Sequence, residues 1–205
     1  MRRALRWIAL LGGLLIADLQ SAEVCAASPP RAVVETFYRV LIDVMKQANP
    51  LGFDGRYKRL QPAIEEAYNL PLMIRLAVGP QWTTLTPEQQ SRLLEAFRRF
   101  TVATYANRFD GYEGEHFEVQ GEKAGLSAGG VMVETRLVPT KGDAVQLNYL
   151  LRQDDGNWRI IDVFLSGTIS ELATRRAEFT SVLRRDGADG LVGLLERKAA
   201  ELNPR

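Results

Sequence analysis

One histidine, His116, and one cysteine, Cys25, are all the sequence offers for imidazole and thiolate chemistry. A transition-metal centre needs three or four such ligands, so no metal site is expected. A serine triad would have only His116 as its base, and no GxSxG elbow is present. The glycines fall in neither GxGxxG nor GxxxxGK[ST] order, which argues against nucleotides. "DGADG", Asp186 to Gly190, has the look of a calcium loop but lacks the alternating ligands and closing glutamate, so it reads as a turn between helices. No cofactor is expected.

The best acid-base candidate is Asp162, in "NWRIIDVFLSG" (Asn157 to Gly167). This stretch alternates like a strand yet is apolar on both faces, with Ile161, Val163 and Leu165 on one and Trp158, Ile160 and Phe164 on the other. Something apolar must therefore lie against each side. Asp162 has two readings. It is a carboxylate neutralised by Arg152 or Arg136 from another strand, because an unpaired buried charge is costly. Or it is a lone general base of raised pKa in an apolar pocket, as in a ketosteroid-isomerase type of enzyme. Trp82, between breakers, reads as a packed loop anchor, and Arg98-Arg99 as a solvated pair.

Helices come first among the elements that must position these residues. Ser28 can cap a helix opened by Pro29-Pro30, with Val33, Val34, Phe37, Leu41, Val44 and Met45 on one face, ending at Asn49-Pro50. A second carries Tyr57, Leu60, Ile64 and Ala67, with Pro62 at its regular start or at a kink. A third, Leu70 to Val78, stops at Gly79-Pro80. Thr86-Pro87-Glu88-Gln89 is a capping box with proline at the first helical position, and predicts a long helix to about Phe109. Its face bears Leu93, Leu94, Phe97, Phe100, Thr101, Thr104 and Tyr105. Beyond Gly111 the period becomes two, around Phe117, Val133, Leu147 and Val163, giving a four-stranded antiparallel meander. Two helices follow, meeting at Gly187, and the layout is α+β.

The chain opens with Arg2, Arg3 and Arg6, an apolar run from Trp7 to Ala17, and small residues at Ala22, Ala26 and Ala27. Residues 1–27 read as a signal peptide cut after Ala26 or Ala27, the alternative being an uncleaved anchor in the inner membrane. Cys25 lies in this segment, in a poor match to a lipoprotein box, so the remainder has no thiol for disulfides or catalysis. Removing the leader takes three of the 26 basic and two of the 25 acidic residues, which leaves a balanced charge and no suggestion of a nucleic-acid partner. Residues 28–205 are expected to form a single domain, helical over about 28–111, a sheet over about 113–166, and C-terminal helices over about 168–203.

Two stretches, "LPLMIRLAVGPQWTTLTPEQQSRLLEAFRRFTVATYANRFDGY" (Leu70 to Tyr112) and "WRIIDVFLSGTISELATRRAEFTSVLRRDGADGLVGLLERK" (Trp158 to Lys198), resemble the MlaC family, also called the toluene-tolerance auxiliary family. Gly79, Trp82, Pro87, Gln89, Phe97, Thr104, Tyr105, Ala106, Trp158, Ile160, Asp162, Val163, Gly167, Ser170, Phe179, Gly190 and Leu191 carry the likeness. "GRYKRLQPAIEEAYNLP", "YANRFDGYEGEHFEV" and "GTISELATRRAEF" look closest to the branch associated with hopanoid biosynthesis, HpnM. Ser166 stands where the family has the aspartate of its "DGVS". The resemblance implies a cone-shaped, curved sheet of the nuclear-transport-factor type, wrapped by about six helices around a deep apolar cavity. It also implies a periplasmic carrier of hopanoid or phospholipid, working with an inner-membrane ABC-transporter complex and an outer-membrane partner.

On that reading the cavity is lined by helix residues among Phe37, Leu41, Leu60, Ile64, Met73, Leu76, Phe97 and Tyr105, and by sheet residues among Val133, Leu147, Tyr149, Val163 and Leu165. The same residues read equally as ordinary core. Besides the carrier and the enzyme based on Asp162, a third reading is an adaptor whose apolar faces are all satisfied by packing and which acts through its surface.

Overall fold

A computed structural model describes residues 28–125 and 129–203. The signal-peptide reading and Cys25 lie outside the described residues. In chain order the elements are α1 (Pro30–Lys46), α2 (Ala48–Ala67), α3 (Leu70–Val78), a 3-10 segment (Gly79–Thr84), α4 (Pro87–Arg108), β1 (His116–Ala124), β2 (Gly130–Val138), β3 (Val145–Asp154), β4 (Asn157–Leu165), β5 (Ile169–Ser170) and α5 (Glu171–Glu201).

The helix starts follow from their caps. The Thr86 hydroxyl accepts from the Gln89 N–H at 3.3 Å while Gln89 Oε1 accepts from the Thr86 N–H at 3.0 Å, so two otherwise orphaned donors are satisfied at once. Asn69 caps α3 through the Leu72 N–H at 2.9 Å. Ser28 caps nothing: the N-cap position of α1 is Pro29, without a side-chain bond. Asn49-Pro50 does not end α1, which stops at Lys46; the pair sits in the first turn of α2, where proline lacks only an N–H that has no helical partner anyway. The break falls two residues later, at Gly52 (φ 57°).

The sheet runs β1-β2-β3-β4-β5, antiparallel throughout. Five strands replace the four expected, because after the turn at Ser166-Gly167 the chain pairs Phe164 with Ser170 and Leu165 with Ile169 before α5 begins. Five helices replace the six expected. The two C-terminal segments run on as one element, α5, interrupted only where Gly187 takes φ 69°, ψ −171°. Bulges between Val119 and Gly121, and opposite Leu150/Leu151, bend the sheet.

The second bulge corrects the face assignment of β4. Leu150 pairs with Asp162 but Leu151 pairs with Ile160, so Ile161 is the extra residue and the alternation slips by one. Trp158, Ile160, Val163 and Leu165 thus share the side of the main core. Ile161 and Phe164 join Met132 and Leu150 in a small cluster on the back of the sheet, with Leu72 of α3 against it. Helices therefore account for both apolar faces. The free edge of β4 is partly covered as well: Tyr68 bridges Ile160, and the Asn69 N–H donates to the Ile160 carbonyl at 2.9 Å. Among the described residues no helix is long and apolar enough to cross a membrane.

Candidate functional site

Between the core face of the sheet and α3, α4 and α5 lies a cavity of about 90 Å³, lined by Tyr68, Met73, Phe97, Thr101, Thr104, Tyr105, Arg108, Phe109, Leu147, Tyr149, Val163, Leu165, Glu171 and Arg175. In place of the deep cavity expected, aromatic rings fill the interior. Phe37 meets Tyr68 and Tyr105 edge-on, each at 5.4 Å between centroids, and Tyr105 stacks on Phe109 at 5.7 Å. Edge-to-face and offset pairs of this kind recover dispersion that an open apolar void would forfeit. Two larger clefts lie elsewhere: one of about 300 Å³ between α1, α2 and β4, lined by Val33, Phe37, Val40, Ala63, Ala67 and Trp158, and one of about 730 Å³ between α1 and β1, where Arg31, Glu35, Asp43, Lys46 and His116 surround Tyr38, Ile42 and Phe117.

Seven of the thirteen residues read as cavity lining come together here: Met73, Phe97, Tyr105, Leu147, Tyr149, Val163 and Leu165. Phe37 lies one layer behind, through its contacts with Tyr68 and Tyr105. Leu41, Leu60, Ile64 and Val133 are fully buried in the main core away from this cavity. Leu76 is on the outside of α3, 39% exposed.

The polar part of the lining was not legible in the sequence. Tyr68 and Tyr105 share a hydroxyl–hydroxyl hydrogen bond, and Tyr38 bonds Thr135 at 2.5 Å, so the phenols in this core have partners. Burial pushes the Tyr105 phenol up to about 12, and those of Tyr68 and Tyr149 well above their ordinary value. All three stay neutral and cannot serve as anions at physiological pH. Arg175, one turn into α5, pairs with Glu171 at 3.2 Å and lies over the Phe100 ring at 4.6 Å. Burial, with Arg108 nearby, depresses its pKa from the ordinary arginine value, which still leaves it charged. Arg108, in the last turn of α4, is exposed and makes no ion pair among the described residues. The Glu171/Arg175 spacing of four is visible in the sequence, but nothing there places it against an apolar cavity.

Asp162 is 6% exposed and pairs with neither Arg152 nor Arg136. The reason is the bulge, which turns its carboxylate to the start of α5. There Oδ1 accepts from the Val163 N–H at 2.8 Å and the Leu172 N–H at 3.1 Å, and Oδ2 accepts from the Ser170 hydroxyl at 2.5 Å. A helix N-terminus supplies the positive partner instead of a guanidinium. Burial raises its pKa, and these three hydrogen bonds hold the rise back. Asp162 is not among the cavity-lining residues, so it has no access to anything bound there. Trp82 packs against the core, its carbonyl accepting from Gln90 at 3.0 Å. Arg98 is not merely solvated; it ties α4 to α2 through Glu65 at 2.9 Å, and also pairs with Glu95.

The MlaC protein family matches residues 35–197, well over half of the chain. Among solved structures, the phospholipid-binding protein from Ralstonia solanacearum in complex with a phospholipid has a TM-score of 0.75. It is 22% identical and the match covers 86% of this chain and 100% of that one, a likeness of fold.

Proposed function

We propose that this chain, which belongs to the MlaC family, is a non-enzymatic carrier that moves lipid through the periplasm, taking an acyl chain or terpenoid ring system into the space between the sheet and α3–α5. The observation that carries this reading is the convergence of Met73, Phe97, Phe109, Leu147, Val163 and Leu165 from two helices and two strands on one cavity with charged residues on its solvent side. The Ralstonia protein of similar fold, solved in complex with a phospholipid, supports the cargo class.

Burial supplies the driving force. At about 0.8 kcal/mol per CH₂ a long acyl chain contributes on the order of 10 kcal/mol before costs, enough to cross water without a covalent anchor. A cavity of about 90 Å³ holds only a small part of such a chain, so the aromatic lining must part as the lipid enters. The bound form is then the more open member of an equilibrium that the lipid shifts. Release needs a competing apolar site, which the reading assigns to an inner-membrane transporter complex and an outer-membrane partner. Hopanoid and phospholipid are both candidate cargoes.

The small volume specifically favours one other reading, an adaptor whose core is satisfied by packing. Mass spectrometry of an organic extract of the purified native protein, followed by uptake of labelled phospholipid and hopanoid by the delipidated protein, separates the two. Co-purified lipid with saturable uptake supports the carrier. No lipid and no uptake of either supports the adaptor.

A further inference from the structure

Three charged side chains stand on the wall of an otherwise apolar and phenolic cavity: Arg108 from the end of α4, and Glu171 and Arg175 from the first turns of α5. A cavity that took only hydrocarbon would gain nothing from them, and the largely buried Arg175 guanidinium carries a desolvation cost. Their arrangement is specific. Arg175 is fixed by the Phe100 ring beneath it, at 4.6 Å, and one of its N–H groups donates to Glu171 at 3.2 Å. That is the only hydrogen bond it makes among the described residues, so its remaining donors are uncommitted. Arg108 makes neither a hydrogen bond nor an ion pair among the described residues, and it is close enough to Arg175 for the two charges to repel. Two arginines against one carboxylate leave an excess of one positive charge at the edge of an apolar cavity.

Resting on the carrier reading above, we propose that Arg108 and Arg175 form a subsite for the phosphate of a phospholipid headgroup, Glu171 holding Arg175 in place until the phosphate arrives. A phosphodiester carries one negative charge and presents oxygens that match the planar fork of a guanidinium, which lysine would not do. The anion neutralises the excess charge and relieves the repulsion between the arginines. The acyl chain runs inward past Tyr105 toward Phe97, Leu147 and Val163. A neutral polycyclic lipid gains nothing from this subsite, so the arrangement selects for a phosphate-bearing cargo.

The test compares delipidated wild type and variants for phosphatidylglycerol and for diacylglycerol with the same acyl chains, with inorganic phosphate as a third probe. Wild type should bind phosphatidylglycerol on the order of tenfold or more tightly than diacylglycerol, the usual worth of a charge-assisted hydrogen-bonded pair. Arg108→Gln, an exposed change that leaves the fold alone, should cut that ratio severalfold. Arg175→Lys should cut it too, and Glu171→Gln, which removes the competing anion, should raise it. Equal binding of the two lipids by wild type, or a ratio unmoved by Arg108→Gln and Arg175→Lys, would overturn the headgroup subsite and leave the carrier reading standing. Binding of neither lipid would overturn the carrier reading itself. Inorganic phosphate bound as tightly as phosphatidylglycerol would make this a free-anion site and overturn the assignment to a headgroup.

Discussion

Leu147 and Val133 both sit on the core face of the sheet, one strand apart, and a glutamate at each should have opposite consequences. Val133 is 0% exposed, flanked across the strands by Glu122 and Tyr149, and is not on the cavity wall. A glutamate there must be neutral to stay inside, and protonating a carboxyl of ordinary pKa about 4.3 at pH 7 costs about 3.7 kcal/mol. Loss of the valine's burial and an unpaired carboxyl bring the total to about 6 kcal/mol, against a whole stability of about 5–15 kcal/mol for such a domain. Val133→Glu should therefore be largely unfolded. Leu147 is 9% exposed and borders the cavity that Arg108 and Arg175 also line. Its glutamate can face water and cations, so Leu147→Glu should lose only about 2–3 kcal/mol, the worth of the leucine's burial, and stay folded. Lipid is another matter: covering that carboxylate with an acyl chain again costs about 3.7 kcal/mol, a factor of about 500 in affinity. The assays are urea unfolding followed by circular dichroism, and extracted lipid per mole of folded protein. Full lipid occupancy in folded Leu147→Glu would show that this face does not touch cargo, and a stable Val133→Glu would refute the burial argument.

Asp162→Asn should cost no more than about 1 kcal/mol at pH 7, because an amide carbonyl can keep the Val163 and Leu172 N–H bonds, whereas Asp162→Ala orphans three donors and should cost about 3 kcal/mol or more. The pH dependence has a definite sign. The folded pKa of Asp162 is raised by burial, so its proton favours the folded state below the ordinary carboxyl value and that contribution is lost as pH rises through the folded pKa. Asp162→Asn should therefore compare better with wild type at pH 7 than at pH 4 in paired urea titrations. Tyr105→Phe strands the Tyr68 hydroxyl in a buried site and should lower stability by about 1–2 kcal/mol in the same assay. Gly187→Ala must hold φ 69° and ψ −171°, a conformation essentially reserved to glycine, and should cost about 1–3 kcal/mol, seen as a fall in melting temperature of several degrees.

Periodicity sufficed where one physical cause acted alone. The start of α4 was legible because Thr86, Pro87 and Gln89 satisfy its first donors locally, whatever packs nearby. The alternation of Leu147 and Tyr149 likewise placed both on one face of β3. Reading failed where the outcome depended on the partner element. Asn49-Pro50 has the composition of a helix end, yet proline in a first turn costs nothing, and only the path of the next helix decides which role it plays. The period of β4 gave no warning of the bulge at Ile161, because both faces are apolar and a slip of one residue leaves the pattern unchanged. Leu41, Leu60 and Ile64 satisfy the same apolar pattern as Met73 and Phe97, and hydrophobicity alone cannot separate close-packed core from cavity wall.

That bulge also decides which part of the wall can move. It puts Val163 and Leu165 on the cavity while turning the neighbouring carboxylate of Asp162 to the start of α5, whose first turns carry Glu171 and Arg175 to the solvent side. Two of the three hydrogen bonds to this buried carboxylate, from the Ser170 hydroxyl and the Leu172 N–H, tie sheet and helix at this point, and bonds to a charged acceptor are worth about 1.5–3 kcal/mol each. Widening the cavity by lifting the start of α5 from β4 would expose or strand that carboxylate. On the opposite wall, Phe97, Thr101 and Tyr105 of α4 meet the cavity through rings, methyls and a single hydroxyl pair, and the Thr101 and Thr104 hydroxyls bond only to carbonyls of their own helix. Separating those surfaces costs contact energy that an entering acyl chain restores methylene by methylene, whereas no part of a lipid tail can replace a donor to Asp162. On the carrier reading, α5's N-terminus and β4 are the fixed side of the site; α4 is itself held to α2 by Arg98–Glu65 and by Arg56 donating to the Ala106 carbonyl, so the room comes from its ring side chains turning and not from the helix moving.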